Sequence, residues 1–264
     1  MRLSLSDLEL DYATAEKEIL AFIRKVVSDS GAKGAVVGLS GGIDSAVVGA
    51  LCVRALGKDN VIGVLMPAYH TPVQDVKDAR QMAKSWGIKS YEVPIDKTFE
   101  ALTGSLSLDS DNKIASANSK ARIRMTILYH FANRLGMLVA GTGDKSEDIL
   151  GYFTKFGDGG VDFLPIAHLY KTQVRALGAR LGLPQNVVTK PASPQLWPGH
   201  KATDELPLAY EQLDPVLFGL FELKLSANHV AKQTGVGKDI IDKILRMNRT
   251  SAHKRAYPPM LGSW

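Results

Sequence analysis

A single cysteine in 264 residues leaves no disulfide framework and no cluster of thiolate metal ligands within one chain. That residue, Cys52, is flanked by Ala50, Leu51 and Val53 and reads as core. No apolar run is long enough to span a bilayer, and the N-terminus has no charged-then-apolar leader pattern. The expectation is a cytoplasmic protein with no membrane partner. Lys and Arg outnumber Asp and Glu by 32 to 27, yet no block of five or six basic residues occurs. The excess of +5 therefore calls for no nucleic acid, and a polyanionic small molecule accounts for it. Internal repeats and low-complexity tracts are missing too. With 45% apolar residues the chain can bury a substantial core, and one domain over residues 1–264 is expected.

Also missing is the phosphate loop G-x-x-x-x-G-K-[ST] of kinases and GTPases, because no Lys precedes Ser45. What stands there instead is VVGLSGGIDSA at 36–46. Residues of β character run into Ser40, Gly41 and Gly42, and Asp44 and Ser45 then open an amphipathic stretch. Strand, loop and helix in this order make an anion site. The glycines let a ligand approach the main chain, and the free N–H groups of the following helix point at its charge. Ser40 and Ser45 add hydroxyl donors. Asp44 would repel a bare phosphate, so it implies Mg²⁺ between them. The pattern SGGxDS resembles the pyrophosphate loop of the N-type ATP pyrophosphatases, which split ATP into AMP and pyrophosphate.

The rest of the chain alternates helices and strands. Helices are expected over 7–29, 45–56, 73–86, 113–135 and 171–181, and strands over 61–66, 91–95 and 136–140, besides the strand before the loop. Further helices are expected over 208–223, with Pro215 breaking or restarting the first, then 226–233 and 240–248. The fold class is α/β: a doubly wound, mostly parallel sheet with helices on both faces, Rossmann-like. Ligands in such sheets bind at the carboxyl ends of the strands.

Candidate site residues gather at those ends. Arg122 and Tyr129 sit seven apart on the long helix, beside the stripe Ala117, Ala121, Met125, Leu128, Ala132. They suit a charged ring or phosphate, or else are a solvated Arg next to a packed Tyr. Glu147 in GTGDKSE is either a second Mg²⁺ ligand or an acid complementing a helix start. The loop GYFTKFGDGGVD at 151–162 reads as a mobile binding loop with Lys155 and Asp162 as its candidates. Lys171 opens a helix, where a cation works against the dipole; a phosphate partner would explain it, and a solvated Lys is the alternative. Segment 191–200, PASPQLWPGH, is a structured loop with Ser193 as a donor, and 106–112 is a surface connection. Residues 251–255 end in His253, Lys254 and Arg255, by composition a frayed basic terminus.

Together these pieces resemble the ammonia-dependent NAD synthetases. The likeness rests on SGGIDSA, ARIRMTILYHFANRLGMLVAGTGDKSE, GYFTKFGDGGVDFLPI, KTQVRALGARLGLP, PASPQLWPGH and the final HKR with PP. It implies that ATP adenylates the carboxylate of deamido-NAD and that ammonia displaces AMP to give NAD. It also implies residue roles. Gly38, Leu39, Ser40, Gly41, Gly42, Ile43, Asp44 and Ser45, with Thr142, Lys171 and Ser193, would hold ATP. Asp44 and Glu147 would bind Mg²⁺, and Arg122, Lys155, Asp162, His253 and Lys254 would contact deamido-NAD at a homodimer interface. Asp44, Lys171 and Asp162 would serve the chemistry, with Asp162 or water taking the proton from ammonia. Asp144 stands where many relatives carry Asn, and either alters Mg²⁺ binding or points to solvent. The extra glutaminase domain of glutamine-dependent members is not in this sequence, so free ammonia is the expected nitrogen donor. Two other classes stand as alternatives: a tRNA-modifying ATP pyrophosphatase, whose thiolating kind needs more cysteines than Cys52, and a non-catalytic nucleotide-binding module, which would lack paired carboxylates.

Overall fold

The computed structural model describes residues 2–107, 112–193 and 205–261. Four strands, β1 (Ala35–Gly38), β2 (Val61–Leu65), β3 (Lys89–Glu92) and β4 (Leu138–Ala140), form one parallel sheet in the order β3-β2-β1-β4. The chain leaves the centre in one direction through β2 and β3 and returns past it to β4. The reversal of strand order therefore falls beside β1, the place where open α/β sheets leave a crevice.

Alternation along β1 sorts the layers. Ala35 and Val37 face a core shared with helices α1 (Tyr12–Asp29), α2 (Ile43–Leu56), α3 (Val73–Trp86) and α7 (Lys171–Arg180). Val36, with Ile62, Val64 and Val139, faces the other way onto Ala132, Leu128 and Phe131 of α5 (Lys113–Leu135). A short α4 (Asp96–Gly104) and the adjoining Ile95 pack against α5 on that side. Helices thus cover both faces, as the expected fold class requires. Cys52 is fully buried in the first core, and burial pushes its thiol up to about 12.

A second apolar cluster joins α6 (Lys145–Leu150), α9 (Tyr210–Leu217), α10 (Ala227–Thr234) and α11 (Lys238–Thr250) around Leu213, Leu217, Val230, Ile241 and Ile244. A one-turn α8 (Gln185–Val188) follows α7.

Several boundaries differ from the expected ones for visible reasons. The 7–29 helix is a 3₁₀ turn (Leu5–Leu8) and then α1, because Asp11 caps the helix by accepting from the Ala13 N–H at 3.0 Å. The third strand lies at 89–92 rather than 91–95. It is an edge strand with mostly exposed residues, so its apolar content carries little signal, and register with β2 sets its start. Beyond it Pro94 offers no N–H to a ladder. The fourth strand starts at Leu138, since Gly136 is taken by the left-handed cap of α5. Pro215 does not break its helix. It sits inside α9, which continues into a π-helical turn over Phe218–Glu222. The connection at 106–112 and the loop at 191–200 fall partly outside the described residues, at 108–111 and 194–200.

Candidate active site

The loop after β1 enters α2 at the sheet's crevice. Gly41 has φ +82°, and a β-carbon there would run into the Asp75 carbonyl oxygen, so glycine is required twice over. The two serines lock the loop from within. The Ser45 hydroxyl donates to the Gly42 carbonyl at 3.0 Å and its oxygen accepts from the Ser40 N–H at 3.2 Å, while Ser40 Oγ accepts from the Gly42 N–H at 3.2 Å. The loop therefore offers an anion chiefly its main-chain N–H groups at the start of α2, which no intrahelical carbonyl can reach.

Facing this loop is a cavity of about 470 Å³. Residues 38–45 other than Gly41 line it, as do Thr142, Glu147, Lys171, Ser193 and Lys254. At its wall the Lys171 ammonium, 1% exposed, stands among three carboxylates: Asp44 Oδ1 at 2.8 Å, Asp144 Oδ2 at 2.7 Å and Glu147 Oε1 at 2.8 Å. The ring of Tyr210 lies 5.3 Å from the ammonium. Burial alone would push Lys171 down, but Asp144, Asp44 and Glu147 outweigh it and hold its pKa well above the ordinary value. Burial, then the charge of Asp144, drives Glu147 well up from the usual carboxylate range, and burial raises Asp144 as well. The cation at the start of α7 is thus a buried ion-pair centre. A solvated Lys, the other sequence reading, does not describe it.

Asp144 does not point to solvent. It is wholly buried and caps α6, accepting from the Glu147 N–H at 2.8 Å. The signal was in the sequence: D-x-x-E before a short apolar run is a capping box. Ser146, between the two acids, accepts from the Lys171 N–H at 3.0 Å and donates to Asp214 Oδ1 at 2.7 Å. Asp214 Oδ2 accepts from the Thr172 N–H and hydroxyl at 2.9 and 2.8 Å. One buried carboxylate on α9 therefore ties the starts of α6 and α7 together and sets Lys171 against its acids. Asp214→Ala strands the Ser146 hydroxyl and the Thr172 N–H, and should cost about 3 kcal/mol. In a thermal melt that is a fall of roughly 6–12 °C.

The remaining predicted residues lie elsewhere. Arg122 is exposed and donates from Nε and Nη2 to the Lys155 carbonyl at 3.3 Å, whereas Arg124, two residues on, lines the cavity and holds the Met66 carbonyl at 3.0 Å. Lys155 Nζ reaches the His253 carbonyl at 2.6 Å, and His253 itself is exposed. Asp162 is outside the cavity lining. Its Oδ1 accepts from the Tyr129 hydroxyl at 3.0 Å and Oδ2 from the Val139 N–H at 2.7 Å, and its own N–H donates to Val139. Tyr129, desolvated and bonded to that carboxylate, is pushed up to about 12.

The 151–162 loop is not free. Lys254 Nζ donates to the Gly151 and Phe153 carbonyls at 2.7 Å each, and Arg255 to the Asp148 carbonyl at 2.8 Å. Ser251 presses on Gly151, where a β-carbon would collide with it. The basic terminus is therefore neither frayed nor spare: it fastens the loop. Composition hid this because the acceptors are main-chain carbonyls about a hundred residues away.

The comparisons with known proteins bear on the whole chain. The family model NAD synthase matches residues 15–258. An NH(3)-dependent NAD(+) synthetase of Staphylothermus marinus is 45% identical over 262 residues, covering 98% of this chain and 95% of the relative. That of Hyperthermus butylicus is 46% identical over 261 residues, covering 98% and 94%. Among solved structures, an NMN synthetase from Francisella tularensis superposes with a TM-score of 0.85 at 30% identity, covering 97% of this chain and 100% of that one. An NH3-dependent NAD synthetase from Campylobacter jejuni, in complex with the nitrate ion, gives 0.82 at 30% identity, covering 96% and 100%. A glycine loop at the crevice of a 3-2-1-4 sheet, a lysine held by acids from two strand ends and a match that runs nearly end to end lead to one assignment: the chain belongs to the NAD synthase family.

Proposed function

We propose that this protein amidates deamido-NAD with ammonia at the expense of ATP, giving NAD, AMP and pyrophosphate. The observation that carries the reading is the Lys171 ammonium, fixed between the phosphate loop and the tip of β4 on the cavity wall. A carboxylate is a poor electrophile. Its oxygen attacks the α-phosphorus of ATP, the bond to the β-phosphate breaks, and pyrophosphate leaves with its charge met by Lys171 and the N–H groups of the loop. Ammonia then adds to the acyl carbon and AMP departs. No side chain acts as nucleophile. Since both oxygens of Asp162 are engaged at the sheet edge, we assign the proton from ammonia to water.

The residues fit Mg²⁺. Asp44 Oδ1 and Asp144 Oδ2 are buried, with the ion pair to Lys171 and no hydrogen bond. Among the described residues no three acidic, His or Cys side chains enclose a metal by themselves, so its remaining ligands would be substrate oxygens and water. Asp44 and Glu147, with Asp144 beside them, would hold the ion. When bound it neutralises charge on the leaving phosphates.

For the dinucleotide we propose Arg122, Lys155, Asp162, His253 and Lys254. Arg122, Asp162 and His253 are exposed, so a site built on them needs a second wall, which supports a homodimer with the partner chain supplying it. A cytoplasmic location fits the soluble substrates, and no described helix is long and apolar enough to cross a membrane.

The test is an assay with ATP, Mg²⁺, deamido-NAD and ammonium in which NAD and AMP are followed together. One NAD for each AMP is expected. AMP without NAD, or neither product, overturns the proposal. Parallel runs with the nicotinate mononucleotide and with glutamine read the pyridine substrate and the nitrogen donor directly.

A further inference from the structure

Lys190 was not singled out by any sequence signal, yet its ammonium is fully hydrogen-bonded beside the phosphate loop. It donates to the Gly41 carbonyl at 2.8 Å, to Asp75 Oδ1 at 2.7 Å and to Asp78 Oδ2 at 2.7 Å. Those are three acceptors for three hydrogens, so no donor remains for a substrate. Both acids are buried, and they sit on the first two turns of α3. Asp78 Oδ1 further accepts from Gln74 at 2.8 Å and from Asn186 of α8 at 3.0 Å. The acceptors lie on two elements, the phosphate loop and α3, and Lys190 lines the cavity wall together with residues 191–193 that follow it.

Two consequences follow. The Gly41 peptide, in a left-handed conformation against the Asp75 carbonyl, is fastened from behind, which fixes the direction of the N–H groups after it. The loop that has to receive a polyanion would otherwise have two buried carboxylates at its back; with Lys190 the local charge is −1 rather than −2. We propose that Lys190 is a positioning residue for triphosphate binding: it anchors the Gly41 peptide and cancels charge behind the loop without touching the nucleotide. This rests on the reading of the loop as the ATP site.

The experiment measures ATP affinity by calorimetry with Mg²⁺ present and the other substrates absent, alongside steady-state kinetics. Lys190→Met is expected to weaken ATP binding about ten- to hundredfold and to raise KM for ATP in step, with KM for ammonia unchanged. The double variant Asp75→Asn/Asp78→Asn keeps Lys190 and removes the charges it cancels, and should bind ATP about fivefold more tightly. An ATP affinity in Lys190→Met within twofold of wild type, even with a lowered Tm, overturns the proposal, because a merely structural lysine would move only the melt. Should Lys190→Met fail to fold, the double variant decides: unchanged or weaker binding overturns it. Absence of ATP binding by the wild type would instead remove the reading of the loop itself.

Discussion

Replacing Lys171 by methionine is expected to cut AMP release by about a thousandfold, the scale of losing a preorganised charge at a leaving group. The side chain is nearly isosteric, so the loss is one of charge. Among the described residues, only this cation contacts the loop helix through Asp44 and the β4 tip through Asp144 and Glu147. The change also leaves three carboxylates facing one another with burial already raising two of them. An unpaired buried charge costs about 3–5 kcal/mol, so the melting temperature should fall as well. Mg²⁺ then becomes the remaining source of positive charge for those acids. Adding it should raise the Tm of Lys171→Met more than that of the wild type, a readout independent of turnover. A variant that keeps AMP release within tenfold of the wild type would remove Lys171 from the chemistry.

How much of this was legible beforehand depended on whether a residue's partners are near it in sequence. Helices α3 and α5 were readable to the residue, because an apolar stripe defines each and Gly87 or Gly136 ends it in the left-handed conformation. The strand, glycine loop and helix start over 35–56 were legible for the same local reason, since they are contiguous. Lys171 was flagged by its misplacement at a helix start, and only the fold supplied the acids 24 to 127 positions upstream. Lys190 had no such flag: its acceptors are 112 to 149 positions away, and one is a main-chain oxygen. Lys254 and Arg255 looked like a spare basic end for the same reason. Arg122 and Arg124 show the limit of helical spacing. The angle between two positions is readable, but which of them meets the cavity depends on what packs alongside, and here that is Arg124.

Asp44 poses the complementary test, because its role can be separated from the fold. Its side chain is 24% exposed, whereas that of Asp144 is fully buried, and Asp144 and Glu147 still pair with Lys171 when Asp44 is neutral. Asp44→Asn should therefore melt within a few degrees of the wild type. Its expected effect is on turnover: AMP formation falls about 10²- to 10³-fold, since the acid that joins the phosphate loop to the proposed Mg²⁺ is gone. Two further readouts follow. The Mg²⁺ concentration giving half-maximal rate should rise, as one of the two or three carboxylates that attract the ion is lost. Binding of ATP without Mg²⁺ should improve, because a negative charge has left the mouth of an anion site whose N–H donors are unchanged. That opposite pair of shifts is what distinguishes a metal-bridging carboxylate from one that merely braces Lys171. A bracing residue would weaken ATP binding with or without the metal, so weaker metal-free binding in Asp44→Asn would rule the bridging role out.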